Sequence, residues 1–227
     1  GHKCGFVDIE GKVVVGYEYT NAGNFSSGLA CVEKDGKWGF IDKTGKMMIK
    51  PQFDEASDFS DGLARVKSGG DWGGKYGYID TQGKFAINPR FKECGHFNEG
   101  LAPANIDGKW GFVNKTGEVV IQPQFAAAES FSGSLACVKV GSQFGYSEKS
   151  GRVAINPTFD DARPFSEDLA AVKAKGKWGY VDGGGKTVIE PQFDDAGGFS
   201  DGIARVTLDG KSGWIDKSGK YVWALSK

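Results

Sequence analysis

The chain has 227 residues, a formal net charge of −1 and 25% charged residues; this is not the composition of a disordered chain, and it lacks the long-range pull of a nucleic-acid or anionic-membrane binder. The length suits one or two domains with a real core, and no apolar run approaches the roughly 18 residues that span a bilayer. Glycine, at 36 residues, far exceeds its usual share of about 7%, which predicts many tight turns.

Read from the N-terminus, Lys3-Cys4-Gly5-Phe6-Val7-Asp8 is the first copy of a phrase that returns throughout the chain. Its fullest forms are Lys37-Trp38-Gly39-Phe40-Ile41-Asp42, Lys109-Trp110-Gly111-Phe112-Val113-Asn114 and Lys177-Trp178-Gly179-Tyr180-Val181-Asp182. Variants centre on Gly77, Gly145 and Gly213. The seven central glycines are spaced by 34, 38, 34, 34, 34 and 34 residues. So regular a period defines a tandem repeat. Other columns keep the beat: a second glycine six residues on (Gly11, Gly45, Gly83 and their equivalents), a proline from Pro51 onward, and two aromatic columns represented by Phe53 and Phe59. The one long spacing comes from residues 68–73, Ser-Gly-Gly-Asp-Trp-Gly, which enlarge a hairpin loop. Lengthening such a loop costs little and leaves the register intact.

Each unit carries three strand signals, represented by Leu63–Lys67, Lys75–Asp80 and Lys84–Asn88. Asp35-Gly36 between the first two strands of its unit is a strong hairpin signal. Asp42-Lys43-Thr44-Gly45 predicts a turn ending in a left-handed glycine, with the aspartate accepting turn N–H groups. The prolines Pro51, Pro89, Pro123, Pro157 and Pro191 are read as strand exits, because proline cannot donate to a ladder. The stretch from Gln52 to Asp61 reads as a packed connector holding a short strand or a helical turn. In the second strand Trp38 and Phe40 share one face, with Gly39 and Ile41 on the other. Both faces of the second and third strands are apolar, so the sheets are expected to be sandwiched between neighbouring units. Gly39 is expected to lie under another chain segment, where a bulky residue would overpack.

The predicted architecture is all-β: a tandem-repeat, superhelical β-solenoid of small antiparallel three-stranded sheets. It forms a single domain over 1–227 of about seven 34-residue units, the first and last incomplete. A seven-unit β-propeller is the alternative. Ser212 at the tryptophan position and Trp223 in place of Ile or Val make the last copy atypical, as in a capped open stack. Residues Gly62-Leu63-Ala64-Arg65-Val66, Lys37-Trp38-Gly39-Phe40-Ile41-Asp42, Gly45, Pro51, Phe53 and Phe59 together resemble the WG-repeat (KWG-repeat) bacterial proteins. The resemblance covers almost the whole chain and departs from it at Cys4, Phe144 and Ser212. It implies no shared enzyme activity, cofactor or catalytic residue. It implies a secreted, periplasmic or surface-associated protein.

No catalytic constellation is legible. His2 and His96 are the only histidines, too few for a zinc site of about four converging ligands. The acid pairs Asp54-Glu55, Asp160-Asp161 and Asp194-Asp195 recur with the repeat, which points to turn hydrogen bonding. Of the four cysteines, Cys31 and Cys137 share a tolerant, semi-exposed position, whereas Cys4 and Cys94 read as buried thiols. The residues that carry structure are Trp38, Gly39, Gly45, Phe53, Phe59, Gly77, Trp110, Gly111, Gly145, Trp178, Gly179 and Gly213. The weak ligand-binding candidates are Trp72, Asp71 and Arg65. Trp72 either stacks on a sugar or peptide or folds back onto its own sheet. The expectation is a non-catalytic, monomeric binding or scaffold array without cofactor, metal or nucleic acid. Its partner is a protein or a glycan. A lectin-like propeller taking saccharide between blades is the alternative.

Overall fold

A computed structural model describes residues 3–70 and 73–226. Their strands form small antiparallel sheets that follow one another along the chain, and none closes into a barrel. The first sheet pairs β1 (Cys4–Val7) with β2 (Val13–Tyr19). The second has the order β3 (Asn21–Ala22), β4 (Leu29–Lys34), β5 (Lys37–Asp42), β6 (Met47–Phe53). The third, fifth, sixth and seventh sheets repeat this four-stranded order. The unit is therefore four-stranded rather than three-stranded, because the connector contributes a two-residue strand such as Glu55–Ala56 or Asp195–Ala196. The chain divides into two compact units, one through Ile106 together with Val113–Glu118 and the other comprising Asp107–Phe112 and Val119 onward. Within each, sheets pack on their sequence neighbours, as the layers of a β-solenoid do.

Most units use two hairpin turns with two positive-φ residues each. Asp35 and Gly36, at φ 53° and 75°, join β4 to β5 as a type I′ turn. Asp61 and Gly62, at φ 54° and 84°, make a second such turn, closed by reciprocal hydrogen bonds between Ser60 and Leu63 of 2.9 and 3.1 Å. This second hairpin lies hidden in what reads as an irregular connector. It carries the Asp-Gly signal, but the flanking strands are too short to show alternation.

The prolines correct the sequence reading. Pro51 lies inside β6, not at its exit. Trp38 faces Phe53 while Phe40 faces Ile49, so Gly39 stands opposite Lys50, Pro51 and Gln52 in a wide bulge. Proline suits a bulge because no ladder N–H is required there. A Cβ on Gly39 would sit 2.5 Å from the Ile49 carbonyl oxygen and 2.7 Å from the Pro51 nitrogen. Gly77, Gly111, Gly145 and Gly179 face the same bulge. The glycine of the WG phrase thus makes room for bulged backbone.

Sheet-to-sheet packing repeats three contacts. The aromatic after that glycine meets the connector Phe of the next unit: Phe40–Phe59 at 5.0 Å, Tyr78–Phe97 at 4.7 Å and Tyr180–Phe199 at 4.9 Å between ring centroids. The next unit's turn glycine sits on the third-strand Ile, as Gly83 does on Ile49 and Gly185 on Ile155. The connector serine donates to the next connector's Phe carbonyl: Ser26 to Phe59, Ser60 to Phe97 and Ser132 to Phe165, each 2.6 Å.

Three further expectations change. The third strand is an edge strand whose middle position is exposed, as at Met48, Val120 and Val188, although Met47 and Phe85 at its start still pack on the preceding sheet. Cys31 and Cys137 are buried, because their shared position lies under the following connector, while Cys4 is only half-buried. The last sheet is atypical in its exposure rather than in polarity: Trp214 and Trp223 are 41% and 67% exposed.

Candidate functional site

The recurring polar side chains are used by the fold itself. Asp42 Oδ1 accepts the N–H groups of Thr44 and Lys46 at 2.9 and 3.0 Å. Asp80, Asn114, Asp182 and Asp216 do the same in their turns. Glu148 breaks the column: it pairs with Arg152, and Ser150 Oγ takes over the Arg152 N–H at 3.3 Å. Its longer side chain reaches past the turn amides.

The acid pairs close hairpins as expected. Asp54 accepts Lys37 Nζ at 2.5 Å and Gly70 N–H at 2.8 Å. Asp194 accepts Lys177 Nζ at 2.6 Å and Asp209 N–H at 2.7 Å. The lysine and the turn amide hold both carboxyls below their ordinary pKa. A depressed folded-state pKa adds stability that is present above the ordinary carboxylate range near pH ~4 and is lost as pH falls through the lowered values. The thermal midpoint should therefore drop on acidification below about pH 4. Asp194→Asn should lower the midpoint at pH 7 and flatten that drop; an unchanged acid profile would refute the assignment.

The titratable groups that burial perturbs most do not converge on a cleft. The Tyr78, Tyr146 and Tyr180 phenols are pushed up by burial, and each donates to a connector carbonyl, of Gly95, Arg163 and Gly197. Burial pushes the Cys31 and Cys137 thiols up to about 12 and Cys94 to about 11. Such thiols are protonated and inert at neutral pH. His96 lies exposed in its connector, and no group of three His, Cys, Asp or Glu side chains able to hold a metal occurs among the described residues.

Of the ligand-binding candidates, Asp71 and Trp72 lie outside the described residues. Arg65 donates to the Cys94 carbonyl at 2.8 Å and stands 5.0 Å over the Tyr76 ring, so its guanidinium ties one sheet to the next connector. Arg163, for which the sequence held no signal, does the same job: it donates to Ala196 O at 2.6 Å and Asp195 at 2.7 Å, over Trp178 at 4.7 Å. The structural residues Trp38, Trp110 and Trp178 occupy one strand position, with Trp178 buried and the other two half-buried. Gly45 packs on Val15, Gly213 is buried in its strand, and Phe53 and Phe59 belong to the core around Phe40.

One open groove of ≈ 490 Å³ is lined by Gly133, Ser134, Leu135, Lys149, Ser150 and Gly183, among others. It marks a missing ion pair. Asp61 accepts Lys115 at 2.8 Å and Gly100 N–H at 2.7 Å, and Glu167 accepts Lys217 at 3.3 Å and Gly202 N–H at 3.0 Å. The equivalent positions here are Gly133 and Gly183, so both partners are absent together. Gly183 has open space around it and no positive φ, and Gly133 at φ 61° matches Glu167 at 50°. The double variant Gly133→Asp, Gly183→Lys should fill the groove and show a favourable coupling of about 0.5 kcal/mol in a double-mutant cycle, the scale of a surface pair. Zero coupling in chemical denaturation would dismiss the pairing.

The sequence pattern described as WG containing repeat matches residues 5–38, 38–72, 76–110, 110–143, 144–178 and 178–211. The chain belongs to the WG-repeat family. Comparison with curated proteins gives no match. Among solved structures, this WG-repeat chain is similar to a eukaryotic initiation factor, with TM-score 0.60 and 12% identity over 91% of this chain and 65% of the other. It thus spans less than two thirds of that protein. Hsv2p of Kluyveromyces lactis is similar at TM-score 0.58 and 10% identity, over 95% and 87% of the two chains. The dihydro-heme d1 dehydrogenase NirN is similar at 0.53 and 12%, over 88% and 54%. At these identities the likeness shows the WG-repeat chain's fold and nothing of its chemistry.

Proposed function

We propose that this chain is a non-catalytic binding or scaffold array. The observation that supports the reading is the commitment of its recurring polar groups to turns, hairpin closure and sheet-to-sheet bonds, while the titratable side chains most perturbed, such as Tyr78 and Cys94, are buried thiols and phenols bonded within the fold. A repeat array then offers its partner an extended surface rather than a pocket. The loop of residues 68–73, with Asp71 and Trp72, and the neighbouring Arg65 are the proposed contacts for a protein or glycan partner.

Residues 1–227 are proposed to act as one cooperative array, and the family resemblance supports a role outside the cytoplasm. Affinity capture and a glycan array with the whole chain, alongside Trp72→Ala, test the binding reading. A captured partner whose retention falls in the variant supports it. Absence of any partner, or turnover of a substrate by the purified chain, would reject it. Fractionation of the native cell tests the location.

A further inference from the structure

Departures from the repeat converge on one place, the groove of ≈ 490 Å³. Of its lining residues, Gly133 stands in the column of Asp61, Glu99, Glu167 and Asp201, and Gly183 in that of Lys43, Lys115, Lys149 and Lys217. Glu148 replaces the turn Asp or Asn, and Ser134 replaces the glycine of Gly62, Gly100 and Gly202. Ala154 falls between Val120 and Val188 in its column and is smaller than either. The fold asks the same of every copy, so departures that are scattered in sequence and meet in space mark a local demand other than folding. Other copies show what the space holds when it is filled. Asp61 pairs with Lys115 at 2.8 Å while accepting the Gly100 N–H, and Glu167 pairs with Lys217 at 3.3 Å while accepting the Gly202 N–H. The space therefore fits one carboxylate and one ammonium in contact, with the carboxylate on a connector amide. Asp168 stands at the position of Gly100 and Gly202 and keeps their left-handed backbone, with φ 73° against 88° and 79°. Its N–H is left without that acceptor, because Gly133 has no side chain to offer one.

We propose that this groove binds a free aliphatic α-amino acid, whose two charges take the places of the missing side-chain pair. An α-amino acid carries its ammonium and carboxylate on one carbon, at a separation close to that of the pairs at Asp61 and Glu167. Its carboxylate accepts the Asp168 N–H from the place that an acid at position 133 would fill. Its ammonium takes the place of the lysine Nζ missing at the 183 turn. Glu148 and Ser150 on the groove wall present oxygens to the ammonium, and Lys149 gives the carboxylate a counter-charge. Leu135 and Ala154 leave an apolar wall for the side chain. A ligand with only one of the two charges leaves half of the template empty. The groove is open, so both charges keep part of their hydration and the desolvation that penalises buried ions is small. A few charge-assisted hydrogen bonds in such a groove support millimolar binding. The site is separate from the loop of residues 68–73 and does not depend on the partner-binding reading.

The test is titration of the whole chain with L-leucine, followed by calorimetry and by the backbone amide shifts of Gly133, Asp168 and Gly183. Saturable binding at millimolar concentration is expected. N-acetyl-leucine and leucinamide each lack one of the two charges and should bind at least tenfold more weakly. Gly133→Asp combined with Gly183→Lys supplies the pair from the chain itself, so it should abolish binding while circular dichroism shows the fold unchanged. Should the double variant fail to fold, Gly133→Asp and Gly183→Lys made singly should each weaken binding at least tenfold. Absence of saturable L-leucine binding would overturn the proposal, as would equal binding of the two blocked forms, or undiminished binding once the groove is filled.

Discussion

Gly179→Val should cost more stability than any other single substitution in the repeat phrase, about 4 kcal/mol or more, the range reserved for disrupted backbone or core. A Cβ there would run into the Ile189 carbonyl oxygen and stand 2.7 Å from the Pro191 nitrogen. Both are bulge backbone, which no rotamer change can move aside. The bulge is in turn fixed by the pairing of Trp178 with Phe193 and of Tyr180 with Ile189 on either side of it. Steric exclusion can be separated from conformational preference at Gly210. That residue has φ +72° but no neighbour within 4 Å of an added Cβ. Gly210→Asn should cost only about 0.5–1 kcal/mol, because asparagine tolerates the left-handed region. Urea denaturation of the two variants decides the matter. Equal losses would mean that the bulge backbone accommodates a Cβ at Gly179 and does not require glycine there.

Phe199→Ala should destabilise by about 3–5 kcal/mol, the cost of deleting a large buried ring from a site that cannot collapse. Phe199 is 2% exposed, packs 4.9 Å from Tyr180 and sits in the cluster with Ile189, Phe193 and Ile215. Its loss should loosen the seventh sheet against the sixth, so hydrogen exchange over Ile203–Leu208 and Lys211–Asp216 should rise before that of the earlier sheets. Tyr180→Phe separates the ring from its hydroxyl. It keeps the aromatic pair and removes only the 2.8 Å bond to the Gly197 carbonyl, so about 1 kcal/mol should be lost. The chain already tolerates that exchange, since Phe40 and Phe112 occupy the same column without a hydroxyl. If Tyr180→Phe cost as much as Phe199→Ala, the hydrogen bond rather than ring packing would hold adjacent sheets together.

Much of the candidate surface was legible beforehand for one reason: repetition converts single residues into columns. The turn aspartates could be assigned to backbone N–H groups because six copies at one offset before a glycine leave little else for a carboxylate or amide to do. Arg163 was not legible, since it is one arginine in a variable column and its target, the Ala196 carbonyl, belongs to the next unit. The paired absence at Gly133 and Gly183 was equally hidden. It shows only once Asp61 is seen to reach Lys115, 54 residues away.

The sequence by itself determined the period, the order of the three long strands within a unit, the turns that join them and the aromatic layers, because these depend on local φ preferences and on side-chain alternation over short stretches of chain. Tertiary structure alone decided that the repeat glycine faces a proline-bearing bulge and that the connector supplies a fourth strand. Each of those depends on what lies across the ladder or in the adjacent sheet. A residue's own pattern specifies which way it points, and only the packed neighbour specifies what it meets.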